Sequence, residues 1–214
     1  KSKVKIIVTD AVFSMDGDIA DIPHLIQLCE AYDAYLYIDD AHGFGILGKE
    51  GKGALQHFVD LQKIKTPYSP RLIYMATLGK AAGINGAVVA SSNILIEYLI
   101  QKSKQYIYTT AIPAFLAYGL KESLNQILKA HEAREHVKGL VNTFRNHMKL
   151  NKLSLGNSLT PIQPVIVGNE INALRLNQWL MDVGIYVPAI RPPSVPKGTS
   201  RMRISFSALH SDID

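Results

Sequence analysis

Short apolar runs rich in β-branched residues alternate with stretches of helical period, and this alternation limits the chain to few architectures. "VKIIVTDAVFS" predicts a strand entering a polar turn, "SMDGD". "DIPHLIQLCEAYD" follows, with apolar Ile22, Leu25, Ile26, Leu28 and Cys29 at helical spacing. Asp21 is placed to cap this helix, and Pro23 lies in its first turn, where a missing N–H costs little. "AYLYIDD", "RLIYMAT" and "GAVVASS" predict further strands, and "NILIEYLIQKSK" a helix. The pattern predicts an α/β fold whose parallel strands are buried on both faces.

From about Ala114 a helical pattern runs to about Leu150, with Gly119 and Gly139 as the points where it is expected to weaken. Beyond it come strand "PIQPVIVG", helix "EINALRLNQWLMDVG", extended "IYVPAIRPPSVP" and strand "RMRISFSA". We expect a domain change inside the long helix, giving domains 1–125 and 126–214. The chain opens without methionine in a strand-like run and closes on "HSDID", where a helix is expected to begin, so both ends read as cut. "VDLQKIKTPYSP" is expected to be a surface loop.

Composition narrows the function. Apolar runs such as "INGAVVA" and "IEYLI" are far too short to span a bilayer, and nothing reads as a signal peptide, so no membrane partner is expected. The lone Cys29 cannot form an internal disulfide; it predicts a core residue in a reducing, cytoplasmic setting. The net charge of +5 is scattered, with no arginine-rich arm. That points away from nucleic acid and toward anionic small ligands. In "HEAREH" the histidines are five apart and diverge on a helix, so His131 and His136 are expected at the surface and no metal site is predicted.

Three polar stretches follow strands: "SMDGD", "IDDAHGFG" and "ATLGK". In parallel sheets ligands bind beyond the carboxyl ends of strands, so all three are expected to converge. Asp39 ends an apolar strand, Asp40 points the opposite way, His42 follows, and Gly43 and Gly45 are expected to let a ligand approach. An Asx-turn at Asp39 is the plain alternative. Lys80 sits in a polar turn after an apolar run, between Gly79 and Ala81. No G-x-x-x-x-G-K-[ST] precedes it and no G-x-G-x-x-G follows a strand, which leaves nucleotide sites without support. A lysine, an aspartate and a histidine beside hydroxyls suit an amine that bonds an aldehyde cofactor, with pyridoxal phosphate the chemical match.

"FSMDGD", "IDDAHGFGILGKEGKG", "TLGKAAG", "YIYTTAIP" and "AIRPPSVPKGTSRMRISFSALH" together resemble the pyridoxal-phosphate-dependent α-oxoamine synthases of fold type I. The resemblance covers nearly the whole chain. It implies a large, mostly parallel-sheet domain and a smaller C-terminal α/β domain, with the family's N-terminal part absent from this chain: a glycine-rich phosphate loop and a histidine that stacks on the cofactor. "DDAHGFG" is most similar to members that condense L-alanine with a pimeloyl thioester on CoA or a carrier protein, in biotin biosynthesis. "DEVHAVG" and "DDSHAVG" mark other branches. "SMDGD" is shared with serine palmitoyltransferase, which stays open beside a glycine C-acetyltransferase-like activity and a non-catalytic partner subunit or inactive fragment. By resemblance Lys80 holds the cofactor covalently and acts as the base, Asp39 pairs with the pyridine nitrogen, and His42 and Ser14 lie on the phenolate side. Thr77 contacts the phosphate, and Thr109 and Thr110 complete the phosphate site of a neighbouring subunit, which implies a homodimer with shared active sites. Arg191 binds the amino-acid carboxylate and Ser194 lines the substrate site.

Overall fold

The computed structural model describes residues 4–151, 155–211 and 213. The chain forms two compact units: Lys1–Val12 with Ala20–His131, and Phe13–Ile19 with Glu132–Asp214. The division therefore falls after His131, past the expected 125/126, and the segment holding "SMDGD" belongs to the second unit.

The first unit is built on a four-stranded sheet ordered β1 (Ile6–Asp10), β2 (Tyr35–Asp39), β3 (Leu72–Thr77) and β4 (Ala87–Ala90). Helix α1 (Ile22–Tyr32) joins β1 to β2 and α2 (Ala54–Asp60) lies between β2 and β3. The Asp21 carboxylate caps α1 by accepting the His24 N–H at 3.3 Å, and Pro23 sits in its first turn, as the sequence predicts. Cys29 is buried on this helix. Residues 61–70 are largely exposed, in keeping with a surface loop.

The first three strands are parallel, but β4 runs antiparallel to β3. The reason lies in the connection. A parallel return needs a crossover of a dozen or more residues. Residues 78–86 instead fold straight back, with Leu78 N–H donating to the Gly86 carbonyl at 2.9 Å and Ile84 N–H to the Leu78 carbonyl at 2.8 Å. Burial on both faces is also not found throughout. Leu36 and Ile38 of β2 are buried, whereas Ile6 and Val8 of β1 are exposed. Two-sided burial requires a helical layer on each face; within this unit α1 contacts β2, and the face carrying Ile6 and Val8 stays open.

After β4 come α3 (Asn93–Lys102), α4 (Lys104–Ile107), α5 (Ala114–Lys129) and α6 (His131–Leu150). The expected long helix is thus two helices, and neither glycine breaks it. The break is Ala130, whose ψ of 41° leaves the helical range. A helical glycine costs only about 1 kcal/mol, which packing offsets; Gly119 lies against Ile84, where a Cβ would meet the Cδ1 at 3.4 Å.

In the second unit β5 (Ile162–Gly168), β7 (Ser200–Ser205) and β6 (Ala189–Ile190) form an antiparallel sheet in the order β5-β7-β6, contacted by α7 (Glu170–Asp182). The Asn169 side chain caps α7 by accepting the Ile171 and Asn172 N–H groups. His131 is exposed, but His136 is half-buried, its Nε2 lying 2.7 Å from the His210 carbonyl oxygen; a neighbouring carbonyl rather than solvent partners the ring. Ser207–His210 make a turn, and the "HSDID" segment where a helix is expected to begin includes residues 212 and 214, which lie outside the described residues. Among the described residues no helix is long and apolar enough to cross a membrane, and no cluster of His, Cys, Asp and Glu could hold a metal ion.

Candidate active site

Adjacent parallel strands deliver their carboxyl ends side by side, and the first unit uses this. His42 follows β2 and Lys80 follows β3, and the Lys80 Nζ lies 3.0 Å from the His42 Nε2. The turn holding the lysine is closed by Gly83 N–H to the Lys80 carbonyl at 3.0 Å, and the side chain is exposed. A lysine amine set against an imidazole at a strand end is available both to a carbonyl reagent and as a proton carrier.

Asp39 ends β2. Its Oδ1 accepts the Ala41 N–H at 2.9 Å, so the Asx-turn is formed, and among the described residues no hydrogen bond reaches the second oxygen. Register places Asp10 of β1 opposite Asp39, on the same face of the sheet. Desolvation and the charge of Asp39 push the Asp10 carboxyl above the usual range, against the pull of Lys80. Asp10 went unrecognised in the sequence because nothing local pairs it with Asp39; the register does.

Asp40 points to the other face and is fully buried. Its Oδ2 accepts the Ala54 N–H and the Tyr74 hydroxyl, each at 2.8 Å. Burial pushes its carboxyl up to about 6, and burial together with Asp40 raises the Tyr74 phenol. Two glycines make this possible: a Cβ on Gly43 would lie 2.1 Å from one Asp40 oxygen, and one on Gly53 2.1 Å from the other. Gly43 therefore makes room for Asp40, and Gly45, at φ 81° with its Cβ position 2.5 Å from the Ala81 Cβ, makes room for the lysine turn. The expectation that these glycines open space for a ligand is corrected: their space is taken by the protein's own atoms.

Thr77, the last residue of β3, has a buried hydroxyl with no hydrogen-bond partner among the described residues. A buried orphan hydroxyl is rare and costs stability unless something accepts from or donates to it. Its position three residues before Lys80 fits a phosphate acceptor held near that lysine. With an accessible amine, a carboxylate with a spare oxygen and this hydroxyl, the residues fit pyridoxal phosphate.

Thr109 and Thr110 are exposed. They do not cap α5, whose N-cap Pro113 has no side-chain cap bond; the Thr109 hydroxyl turns back to the Gln105 carbonyl. Ser14, Arg191 and Ser194 belong to the second unit. Arg191 and Ser194 are exposed at a turn closed by Ser194 N–H to the Arg191 carbonyl at 3.0 Å. The Ser14 carbonyl accepts from Arg203 Nε at 2.5 Å. Tyr74, Gly53, Arg201 and Arg203 were missed in the sequence, since each acts on a partner distant along the chain.

The family described as aminotransferase class I and II matches residues 1–214. The chain is 50% identical over 215 residues to an 8-amino-7-oxononanoate synthase of Methylobacillus flagellatus, covering 100% of this chain and 52% of that protein. A crystal structure of 8-amino-7-oxononanoate synthase from Francisella tularensis is similar with a TM-score of 0.81 at 31% identity, covering 97% of this chain and 58% of that one. A serine palmitoyltransferase of Sphingomonas wittichii is similar with a TM-score of 0.87 at 26% identity, covering 98% and 51%. The chain spans about half the length of the curated relatives it matches.

Proposed function

Because the chain belongs to the aminotransferase class I and II family, we propose that it is part of a pyridoxal-phosphate-dependent acyltransferase that condenses L-alanine with a pimeloyl thioester to give 8-amino-7-oxononanoate, for biotin biosynthesis in the cytoplasm. The observation that carries this reading is the Lys80–His42 pair, set beside Asp39 at the ends of β2 and β3. The half-identical relatives that bear the 8-amino-7-oxononanoate synthase name support the choice of substrates.

When bound, pyridoxal phosphate supplies an electron sink for the pair left when an amino acid loses its α proton. The chain's own residues do the rest. Lys80 would hold the cofactor, and its amine would take the α proton from alanine and later return one. His42, in contact with that amine, aims it. Asp39, with one oxygen fixed by Ala41, offers the other to the pyridine N–H. Thr77 donates to the phosphate. Arg191 pairs with the alanine carboxylate, and Ser194 lines the space beside it. A carbon–carbon bond forms between the alanine α carbon and the thioester carbonyl, the thiol leaves, and the alanine carboxylate departs as carbon dioxide.

Steady-state turnover of the full-length protein tests the substrate assignment. With pimeloyl-CoA, kcat/KM for alanine is expected to exceed that for glycine by about tenfold or more, the discrimination one methyl group supports, and to exceed that for serine. A preference for serine with a long-chain acyl-CoA would instead place the chain with the serine palmitoyltransferases.

The shared-site homodimer makes a separate prediction. A Lys80→Ala chain with intact threonines, mixed with a chain lacking both Thr109 and Thr110 hydroxyls but keeping Lys80, is expected to regain roughly a quarter of wild-type activity. Random exchange makes half the dimers mixed, each with one complete site of two. Verified subunit exchange without recovery rules out a role for these threonines across a subunit boundary.

A further inference from the structure

Lys80 lies on a turn that a second element of the first unit holds from behind. Residues 78–86 bond among themselves, with Leu78 N–H donating to the Gly86 carbonyl and Gly83 N–H to the Lys80 carbonyl. The Ala82 carbonyl, two residues after the lysine, instead accepts the Ser123 hydroxyl of α5 at 2.6 Å, a bond that spans 41 residues of chain. Ala82 is buried, where a carbonyl deprived of its donor costs stability.

Ser123 shares its face of α5 with two other contacts. Gly119, Ser123 and Ile127 are four residues apart and so form one stripe along the helix. At one end Gly119 lies against Ile84 of the lysine turn. At the other, Ile127 meets the loop that carries His42: a Cβ on Gly51 would lie 3.0 Å from its Cγ2, and one on Gly45 3.7 Å from its Cδ1. The two loops also meet each other, through Gly45 and the Ala81 methyl. One helical face therefore backs both the turn that presents Lys80 and the loop that presents His42. Of its three residues, Ser123 alone has a side chain able to hydrogen-bond. Packing resists separation but tolerates sliding, whereas a hydrogen bond also fixes distance and angle. The contact of the Lys80 Nζ with the His42 Nε2 depends on both backbones staying in place. A displacement of about 1 Å at a reacting group can cost on the order of 10²-fold in rate.

We propose that Ser123 is a positioning residue: through the Ala82 carbonyl it sets the lysine turn on α5 and so holds the Lys80 amine against His42. It touches neither cofactor nor substrate in this role. The proposal rests on the reading of Lys80 as the amine that bonds the cofactor's aldehyde.

Binding to the cofactor-free, full-length protein tests this without reference to turnover. Dissociation constants are measured by fluorescence titration for two ligands. Pyridoxal phosphate has an aldehyde carbon that can bond the Lys80 nitrogen with loss of water; pyridoxamine phosphate has an amine in place of that aldehyde and cannot. The ratio of the two constants reports capture by the lysine. It does not depend on the fraction of protein folded, which keeps a destabilised variant informative. Lys80→Ala is expected to abolish the preference for pyridoxal phosphate. Ser123→Ala is expected to reduce it about fivefold, the worth of one neutral hydrogen bond, and Ser123→Thr, which keeps the hydroxyl, to restore most of it. If Lys80→Ala abolishes the preference while Ser123→Ala keeps it, positioning by Ser123 is overturned and the role of Lys80 stands. If Ser123→Thr loses as much as Ser123→Ala, the hydroxyl is not what holds the turn and positioning is again overturned. If Lys80→Ala leaves the preference intact, both the role of Lys80 and its positioning are overturned.

Discussion

Lys80→Ala is expected to lower the condensation rate of the full-length protein by roughly 10⁴-fold or more, the upper end of what a positioned base contributes, since this one side chain is assigned both the covalent anchor and the proton transfer. The fold is expected to survive. Lys80 is exposed, its side chain bonds His42, and substitutions at exposed sites shift stability by about 0.5 kcal/mol or less. Unfolding midpoints and turnover measured on the same preparation separate the two effects. Borohydride reduction followed by peptide mass analysis is expected to locate the cofactor on Lys80 in the wild type and nowhere in the variant. Wild-type turnover in Lys80→Ala is the result that removes the assignment.

The two neighbouring carboxylates are expected to respond in opposite ways. Asp39→Asn is expected to cut turnover by about 10²-fold or more, because an amide cannot hold the pyridine nitrogen protonated, while unfolding is little changed. Asp40→Asn is expected to spare the chemistry and lower stability by about 1–3 kcal/mol, since the amide brings two donors into a buried pocket where Oδ1, without a hydrogen-bond partner among the described residues, lies against Gly43. The pH dependence separates them further. The folded chain holds the Asp40 proton up to about 6, against 3.8 for an ordinary carboxyl. Between those values the folded state binds more protons than the unfolded state, so wild-type stability falls as pH rises through that window, by on the order of 3 kcal/mol in total. Below about 4 and above about 6 this contribution is level. Asp40→Asn is expected to flatten the profile in chemical unfolding across pH 4–7, and Asp39→Asn to leave it in place. A reversed pattern would exchange the roles of the two aspartates.

The elements themselves were legible in the sequence. β-branched runs and helical spacing are local signals, and α1 begins where Asp21 and Pro23 say it should. Lys80, His42 and Asp39 were legible as candidates because each follows an apolar run, and strand ends of a parallel sheet share one edge. What the sequence could not supply was direction and partnership. The antiparallel β4 depended on how residues 78–86 fold back, and the helix break depended on Ala130 rather than on either glycine. Gly43 looked the same whether it yields to a ligand or to a carboxylate; the 2.1 Å approach of Asp40 decided it. The Ser14–Asp18 turn was plainly a turn, but its anchors, Arg201 and Arg203, lie some 185 residues away along the chain. Local chemistry, written in neighbouring residues, determined which segments form strands and helices and which side chains can react. Hydrogen-bond partners and burial come from residues that only folding brings together, and those alone decided which aspartate is buried, which glycines are obligatory and which arginines hold the motif.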